Sequence, residues 1–306
     1  MSIPLVTVLM AVYNGEAYLG EAIESILNQT LSNFEFIIID DASTDNSRIL
    51  AKSYDDPRIR VLSNSHNLRL GESLNRGMKI ARGKYIARMD ADDISLPQRL
   101  EKQVSFMESH PEIGVSGSWL ECFGFKTQVW EYPVDSGIIL CNLLFQNQLG
   151  HPTVIMRREL IMAKGLFYNP DFREAEDYEL WTRCSEHFPL GNLAEVLLLY
   201  RWHENQASQA HLAEQQYFHS LVCRGQLERL GLQPSVEEMK LHLEISLLEF
   251  EPFSSFITSS RQWLQRIMQA NHKCSYYPQL ELRIILENRW RNICIMTGIP
   301  CSEIFR

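Results

Sequence analysis

The chain has 306 residues, of which 45% are hydrophobic and 22% charged, with a formal net charge of -9. These values exclude a disordered or fibrous chain and leave room for one large α/β domain with an appendage, or for two ordinary domains. The acidic balance also argues against nucleic acid as a partner, because duplex binding rests on clustered Lys and Arg, and no such stripe precedes the C-terminal region.

Residues 5 to 13, LVTVLMAVY, form an apolar run stopped by Asn14-Gly15, the pattern of a buried parallel strand and its turn. With no basic leader and no small-residue cleavage site, this run is expected to be a strand and not a signal peptide. A helix should follow, since Tyr18, Leu19, Ala22, Ile23, Ile26 and Leu27 recur at helical spacing. Residues 34 to 41 predict a second strand, and STDNSRILAKSY a second helix with Ser43 or Thr44 as its N-cap. A strand over 58 to 62, a helix over 72 to 81 and a strand over 84 to 89 continue the alternation. A long helix is then expected from Ser95 and Pro97, a cap and first-turn pair, to His110-Pro111.

Strand and helix in strict alternation predict a parallel sheet covered on both faces by right-handed crossovers. From 112 to 205 the pattern is mixed, with strands in IGVSGSWLECFG, TVIM and AEVLLLY and helices near 135 to 146 and 176 to 187. Residues 206 to 306 read as mostly helical, set off by the polar run HENQASQAHLAEQQ. The expected organisation is therefore a catalytic domain over 1 to 205 and a helical region over 206 to 306. No segment reaches the ~18 continuous apolar residues needed to span a bilayer. The seven cysteines are scattered without a CxxC pair, as expected of reduced thiols in a cytoplasmic protein.

Ligands of such sheets bind at the carboxyl ends of the strands. The acidic residues fall there: Asp40 and Asp41 after the second strand, then Asp90, Asp92 and Asp93 after the fourth. Strand alternation would point Asp90 and Asp92 to the same side. They either cap the next helix in solvent or hold a hard divalent cation, Mg2+ or Mn2+, whose remaining positions water and a substrate phosphate would fill. A nucleoside diphosphate could approach this edge only with a cation between. Neither GxxxxGK[ST] nor GxGxxG occurs, so neither common glycine loop grips the phosphate. Ala11, Val12 and Tyr13 can face a base and ribose, and Asp41 can accept from a ring N–H.

Four blocks, VTVLMAVYNGEAYLGEAIESILNQT, FEFIIIDDASTD, GKYIARMDADD and LPQRLEKQ, closely resemble the family 2 glycosyltransferases of bacterial polysaccharide and lipooligosaccharide assembly, over about residues 4 to 205. The resemblance implies a GT-A fold: a Rossmann-like, mostly parallel α/β sheet flanked by helices. It implies an inverting transfer from a nucleotide-sugar donor, UDP-linked, to a hydroxyl of a growing glycan or lipid-linked glycan. The chain looks most like the branch that includes β-1,3-N-acetylglucosaminyltransferases and related galactosyl- or glucosyltransferases.

By that resemblance Asp41 recognises the base, Asp90 lies near the ribose and metal-bound diphosphate, and Asp92 is the principal metal ligand. Glu16 and Ala91 join the nucleotide-sugar site, as do Gly71 and Asn75 of the loop block NLRLGESLN. EAEDYELW makes Asp177 the catalytic base with Glu176 beside it; from the residues alone, Glu174, Glu176, Asp177 and Glu179 could equally be an acidic first turn favoured by the helix dipole. His151 of GHPTVIMRREL is expected to contact sugar or phosphate, and His203 of YRWHENQAS the metal or diphosphate. Arg201 and Arg88 suit a diphosphate by charge.

Arg283, Arg289, Trp290 and Arg291 beside apolar neighbours suggest either a packed helical subdomain or peripheral contact with the inner face of the cell membrane. Two rival functions fit the residues less well. A sugar nucleotidylyltransferase would carry a glycine-rich basic loop that YNGEAYL lacks, and an inactive sugar-nucleotide-binding scaffold has no need of both Asp92 and Asp177.

Overall fold

The computed structural model describes residues 3–203, 212–301 and 303–305. Strand β1 (Val6–Val12) lies between β2 (Phe34–Asp40) and β4 (Tyr85–Met89), with β3 (Ile59–Ser63) beyond β2, and all these pairings are parallel. The runs of Val, Ile and Leu are unbroken because both faces are covered. Leu9, Ile37 and Ile86 point into one core, while Val8, Met10, Phe36, Ile38 and Ala87 point into the other. Helix α1 (Leu19–Leu27) buries Leu19, Ala22, Ile23 and Ile26, the face its periodicity marks. Helix α3 (Arg69–Ile80) comes so close to β1 that a Cβ on Gly77 would lie 2.1 Å from Leu9 Cδ1.

Two helix starts differ from expectation. Helix α2 (Ser47–Ser53) is preceded by Asn46, not capped by Ser43 or Thr44. The backbone N–H groups of those two residues instead donate to Asp40 Oδ1 at 3.1 Å and Asn14 Oδ1 at 2.8 Å, so they build the turn that ties the ends of β1 and β2 together. Helix α4 (Arg99–Ser109) starts after Gln98, and Ser95 belongs to the short strand β5 (Ile94–Ser95). The partner that draws Ser95 into the sheet is Leu198 of β9 (Leu190–Trp202), about a hundred residues away.

The second half of the sheet is mixed. Strand β8 (Ile155–Arg157) runs antiparallel to β4 and joins the halves. Strand β6 (Val115–Gly124) pairs antiparallel with β8 and with β7 (Gln128–Trp130), and parallel with β9, with a register irregularity between Ser118 and Leu120. The order is β3-β2-β1-β4-β8-β6-β9-β5, β7 lying on β6. The helices expected near 135 to 146 and 176 to 187 are α5 (Ser136–Asn142), capped by the Asp135 side chain, and α7 (Glu176–Cys184). Helix α6 (Arg158–Lys164) lies between them.

Helices α8 (Leu212–Arg229), α9 (Val236–Leu247), α10 (Ser254–Cys274) and α11 (Gln279–Thr297) complete the described chain. Their Leu227, Trp263, Ile285 and Trp290 share one continuous core with Phe145, Trp181 and Leu9 of the sheet half. Buried His242 of α9 reinforces that joint: its ring accepts from Trp263 Nε1 at 3.1 Å and lies 3.0 Å from the Leu144 carbonyl. Burial pushes its pKa down to about 3, so it stays neutral. The division expected between 205 and 206 falls outside the described residues. Among the described residues no helix is long and apolar enough to cross a membrane.

Candidate active site

The pleat of β4 ends at Met89, so alternation along a strand does not bring Asp90 and Asp92 together. A bend between β4 and β5 does. Oxygens of Asp90, Asp92 and Asp93 lie within 4.8 Å of one another. Arg88, buried on β4, forms an ion pair with Asp90, and the backbone N–H of Arg201 donates to Asp93 Oδ1 at 2.9 Å. Arg201 Nε donates to the Asp92 carbonyl at 2.7 Å, while the guanidinium packs over the rings of Tyr18 and Phe123 and pairs with Glu21. His203 Nε2 stands 3.1 Å from Asp92 Oδ2. Thus β9 delivers two cationic or imidazole side chains to the acidic bend.

Burial holds the Asp90 and Asp93 carboxyls above the usual carboxylate range; the neighbouring carboxylates add to this and Arg88 opposes it. Asp93 Oδ2 is a buried oxygen with no hydrogen-bond partner. A crowded set of carboxylate oxygens with one unsatisfied atom and an imidazole beside it is a donor set suited to Mg2+ or Mn2+. The residues present therefore fit the expected metal, with Asp92 the most solvent-exposed of them: its side chain is 35% exposed, against 24% for Asp90 and 16% for His203.

Two cavities meet at this bend, sharing Leu70, Asp90 and Asp92. The first, about 590 Å³, is lined by Ala11, Val12, Tyr13, Ala91 and His203. The second, about 530 Å³, is lined by Arg88, His151, Glu176 and Asp177, with an aromatic wall of Trp130, Tyr132, Tyr200 and Trp202. Tyr200 and Trp202, two apart on β9, share a face, and the Trp130 ring lies tilted 5.6 Å from Tyr200 and edge-on 6.0 Å from Trp202. Asp92 and Asp177 thus border one cavity, although 85 positions of sequence separate them.

Asp177 sits in the first turn of α7, where its Oδ1 accepts from the Tyr178 N–H at 2.7 Å and its Oδ2 from Asn147 Nδ2 at 2.7 Å. Burial raises its pKa, with those hydrogen bonds and Arg88 working against the shift. Glu176 is pushed up to about 7 by burial and by Asp177. An oriented carboxylate of raised basicity in a cleft is equipped to take a proton from an alcohol.

Several expected residues sit elsewhere or are already occupied. Asn75 is buried, and its amide donates to the Tyr168 carbonyl and accepts from the Tyr168 N–H, both at 2.8 Å, so it clamps α3 to the segment before α7 and lines neither cavity. Gly71 lies in an adjoining pocket against Tyr168 and Glu176. Glu16 is exposed and accepts from the Asn46 N–H at 2.8 Å, holding the start of α2. Asp41 is buried, with Oδ1 accepting from Asn64 Nδ2 at 2.6 Å and the Leu68 N–H at 2.8 Å. His151 reaches the cavity, but its Nε2 is engaged by the Tyr168 hydroxyl at 2.8 Å, and burial keeps it neutral. Asn147 and the aromatic wall were not singled out from sequence; the alternate aromatics of YRW were the signal available for the wall.

An α/β sheet with an acidic, metal-suited bend at its carboxyl edge and a buried carboxylate across the same cavity defines a GT-A glycosyltransferase. The glycosyl transferase family 2 model matches residues 7–161, and the chain belongs to that family. It is 37% identical over 263 residues to an uncharacterized glycosyltransferase of Haemophilus influenzae, covering 80% of each chain. It is also 32% identical over 177 residues to an Escherichia coli UDP-Glc:alpha-D-GlcNAc-diphosphoundecaprenol beta-1,3-glucosyltransferase, covering 58% of this chain and 68% of that one. Among solved structures, S. aureus TarS 1–349 in complex with UDP-GlcNAc superposes with TM-score 0.62 at 17% identity, over 97% of this chain and 93% of that one. The Pyrobaculum calidifontis mannosyltransferase in complex with GDP-Man and Mn2+ gives 0.59 at 15% identity, over 97% and 88%. These two likenesses bear on the fold alone.

Proposed function

We propose that the protein is a metal-dependent, inverting hexosyltransferase that moves a sugar from a UDP-linked donor, UDP-GlcNAc, UDP-Gal or UDP-Glc, to a hydroxyl of a growing surface glycan or lipid-linked glycan. The observation that carries this reading is the single cavity bordered by both Asp92 and Asp177. The nucleoside occupies the cavity of Ala11, Val12 and Tyr13, and the sugar extends past the acidic bend toward Asp177. A cation held by Asp92, Asp90 and His203 would supply charge to offset the departing diphosphate.

The remaining work falls to this chain's own side chains. Asn147 and the Tyr178 N–H fix the Asp177 carboxylate, which accepts the proton of the acceptor hydroxyl. As the acceptor oxygen bonds to the anomeric carbon, the bond from that carbon to the diphosphate breaks, and its electron pair leaves with the nucleoside diphosphate. One base and one stabilised leaving group suffice for a single displacement with inversion. The wall of Trp130, Tyr200 and Trp202 suits the apolar face of a pyranose and excludes water. The UDP-Glc donor and diphosphoundecaprenol-linked acceptor of the Escherichia coli relative support a UDP-sugar donor and a lipid-diphosphate acceptor here, which would place the enzyme on the cytoplasmic side, at the inner face of the cell membrane.

Release of nucleoside diphosphate from a panel of nucleotide sugars, with and without Mn2+, tests the reading. Asp177→Asn is expected to bind the donor as wild type does and to lose at least 10²-fold in transfer. Transfer by that variant within tenfold of wild type would remove Asp177 as the base.

A further inference from the structure

A third cavity, about 630 Å³, opens from the same carboxylate on its other side. It shares Asn147, Glu174, Asp177 and Gln215 with the catalytic cavity and is otherwise walled by α8 and α9. Near Asp177 its lining is polar, with the amides of Asn147, Gln215 and Gln216 and the ring of His219. Along α9 it presents Val236, Met239, Leu243 and Leu247, with Lys240 and Glu244, an ion pair of the same helix, and Glu249 at its margin. Val236 and Leu247, at the two ends of α9, are 77% and 40% exposed, while Met239 between them is buried.

The junction between the two cavities carries a second peculiarity. Glu174, one of the shared residues, has φ +58°, a left-handed backbone that non-glycine residues seldom adopt and that concentrates at functional sites. Asp177, three residues further on, borders both spaces. Donor components fill the two cavities that meet at Asp92; the third has the proton acceptor at its inner end and neither the acidic bend nor a nucleoside wall.

We infer that the acceptor lies in this third cavity, and that it is a glycoside with an apolar aglycone: the reacting sugar at Asn147, Asp177 and Gln215, the aglycone along Val236, Met239, Leu243 and Leu247 of α9. The inference rests on the transferase reading above and assigns the choice of acceptor to the C-terminal helices. The amide groups answer sugar hydroxyls, and the α9 face answers a hydrocarbon chain that water would otherwise surround.

The test uses the full chain and acceptor made by the source organism. A strain lacking the gene accumulates the unfinished acceptor, and its chloroform–methanol extract and its aqueous glycan extract are each incubated with labelled nucleotide sugar, Mn2+ and enzyme. The expected result is label in the solvent-extracted glycolipid, with the ratio of transfer to donor hydrolysis at least tenfold lower in both Val236→Trp and Leu247→Trp, whose exposed positions accommodate the larger ring without disturbing the core. A smaller fall in either variant, or label confined to the aqueous glycan, overturns the inference. Wild-type enzyme that neither hydrolyses nor transfers any nucleotide sugar overturns the transferase reading itself, and the acceptor assignment with it.

Discussion

Nε2 of His203 stands 3.1 Å from Oδ2 of Asp92, across 111 positions of sequence. Both atoms are metal donors of the type that binds Mn2+. Asp92→Ala is expected to abolish any Mn2+-dependent thermal stabilisation in the presence of a nucleotide sugar. His203→Ala should retain activity but raise the Mn2+ concentration for half-maximal rate by roughly tenfold or more, the scale of losing one support of a metal site. An unchanged Mn2+ titration in His203→Ala would show that the imidazole serves Asp92 only as a hydrogen-bond partner.

Asn147 offers a prediction with a definite sign. Its amide donates to Asp177 and so favours the charged carboxylate; burial already raises that pKa. Activity needs the charged form and is lost as pH falls through this pKa. Asn147→Ala removes a stabiliser of the charge, so the acid limb of the kcat profile is expected to move to higher pH. A limb that stays in place or moves down would detach Asn147 from the base.

Most of the first 109 residues were legible because the elements there, β5 apart, are fixed by neighbours in sequence: apolar runs, helical spacing and carboxylates at strand ends. What escaped depends on partners far along the chain. Ser95 carries the signature of a cap but is drawn into β5 by Leu198; Asn75 lies in a loop block that resembles a nucleotide site, yet its amide is taken by Tyr168, 93 positions on. Asn147 has no local pattern at all. Asp90 and Asp92 were correctly paired for a reason that fails, since a bend and not a pleat unites them.

Glu35 on β2 provides a test of stability away from the site. It is buried and accepts from Thr7 Oγ1 at 2.8 Å, the Arg82 N–H at 2.7 Å and Arg60 at 3.2 Å. Burial alone would raise its pKa, but the hydrogen bonds from Arg82 and Thr7 outweigh it and the pKa is lowered. The charged form therefore stabilises the fold above the unfolded carboxyl pKa of 4.5, and that contribution is lost as pH falls through the lower folded value. Glu35→Gln is expected to cost about 1–3 kcal/mol at pH 7 by denaturant unfolding, with the difference from wild type shrinking in acid. A difference independent of pH would contradict the assignment.

The C-terminal helices cover Phe145 and Trp181 within a shared core. We propose that the boundary between 205 and 206 divides sequence patterns but not folding units. A chain ended after residue 203 is expected to be insoluble or to lack a cooperative thermal transition, measured by calorimetry. A soluble, cooperatively melting fragment would establish an independent catalytic domain.

Strand β9 is inserted between β6 and β5, and its last residues bring Arg201 and His203 to the acidic bend. During synthesis, therefore, a nascent chain carrying the whole stretch matched by the family model still has its acidic bend without those partners, and Asp177, the proposed base, has not yet been made. On the proposed reading, completion of the site waits on this one interior strand. A ribosome stalled anywhere upstream yields not a feeble enzyme but an inert one.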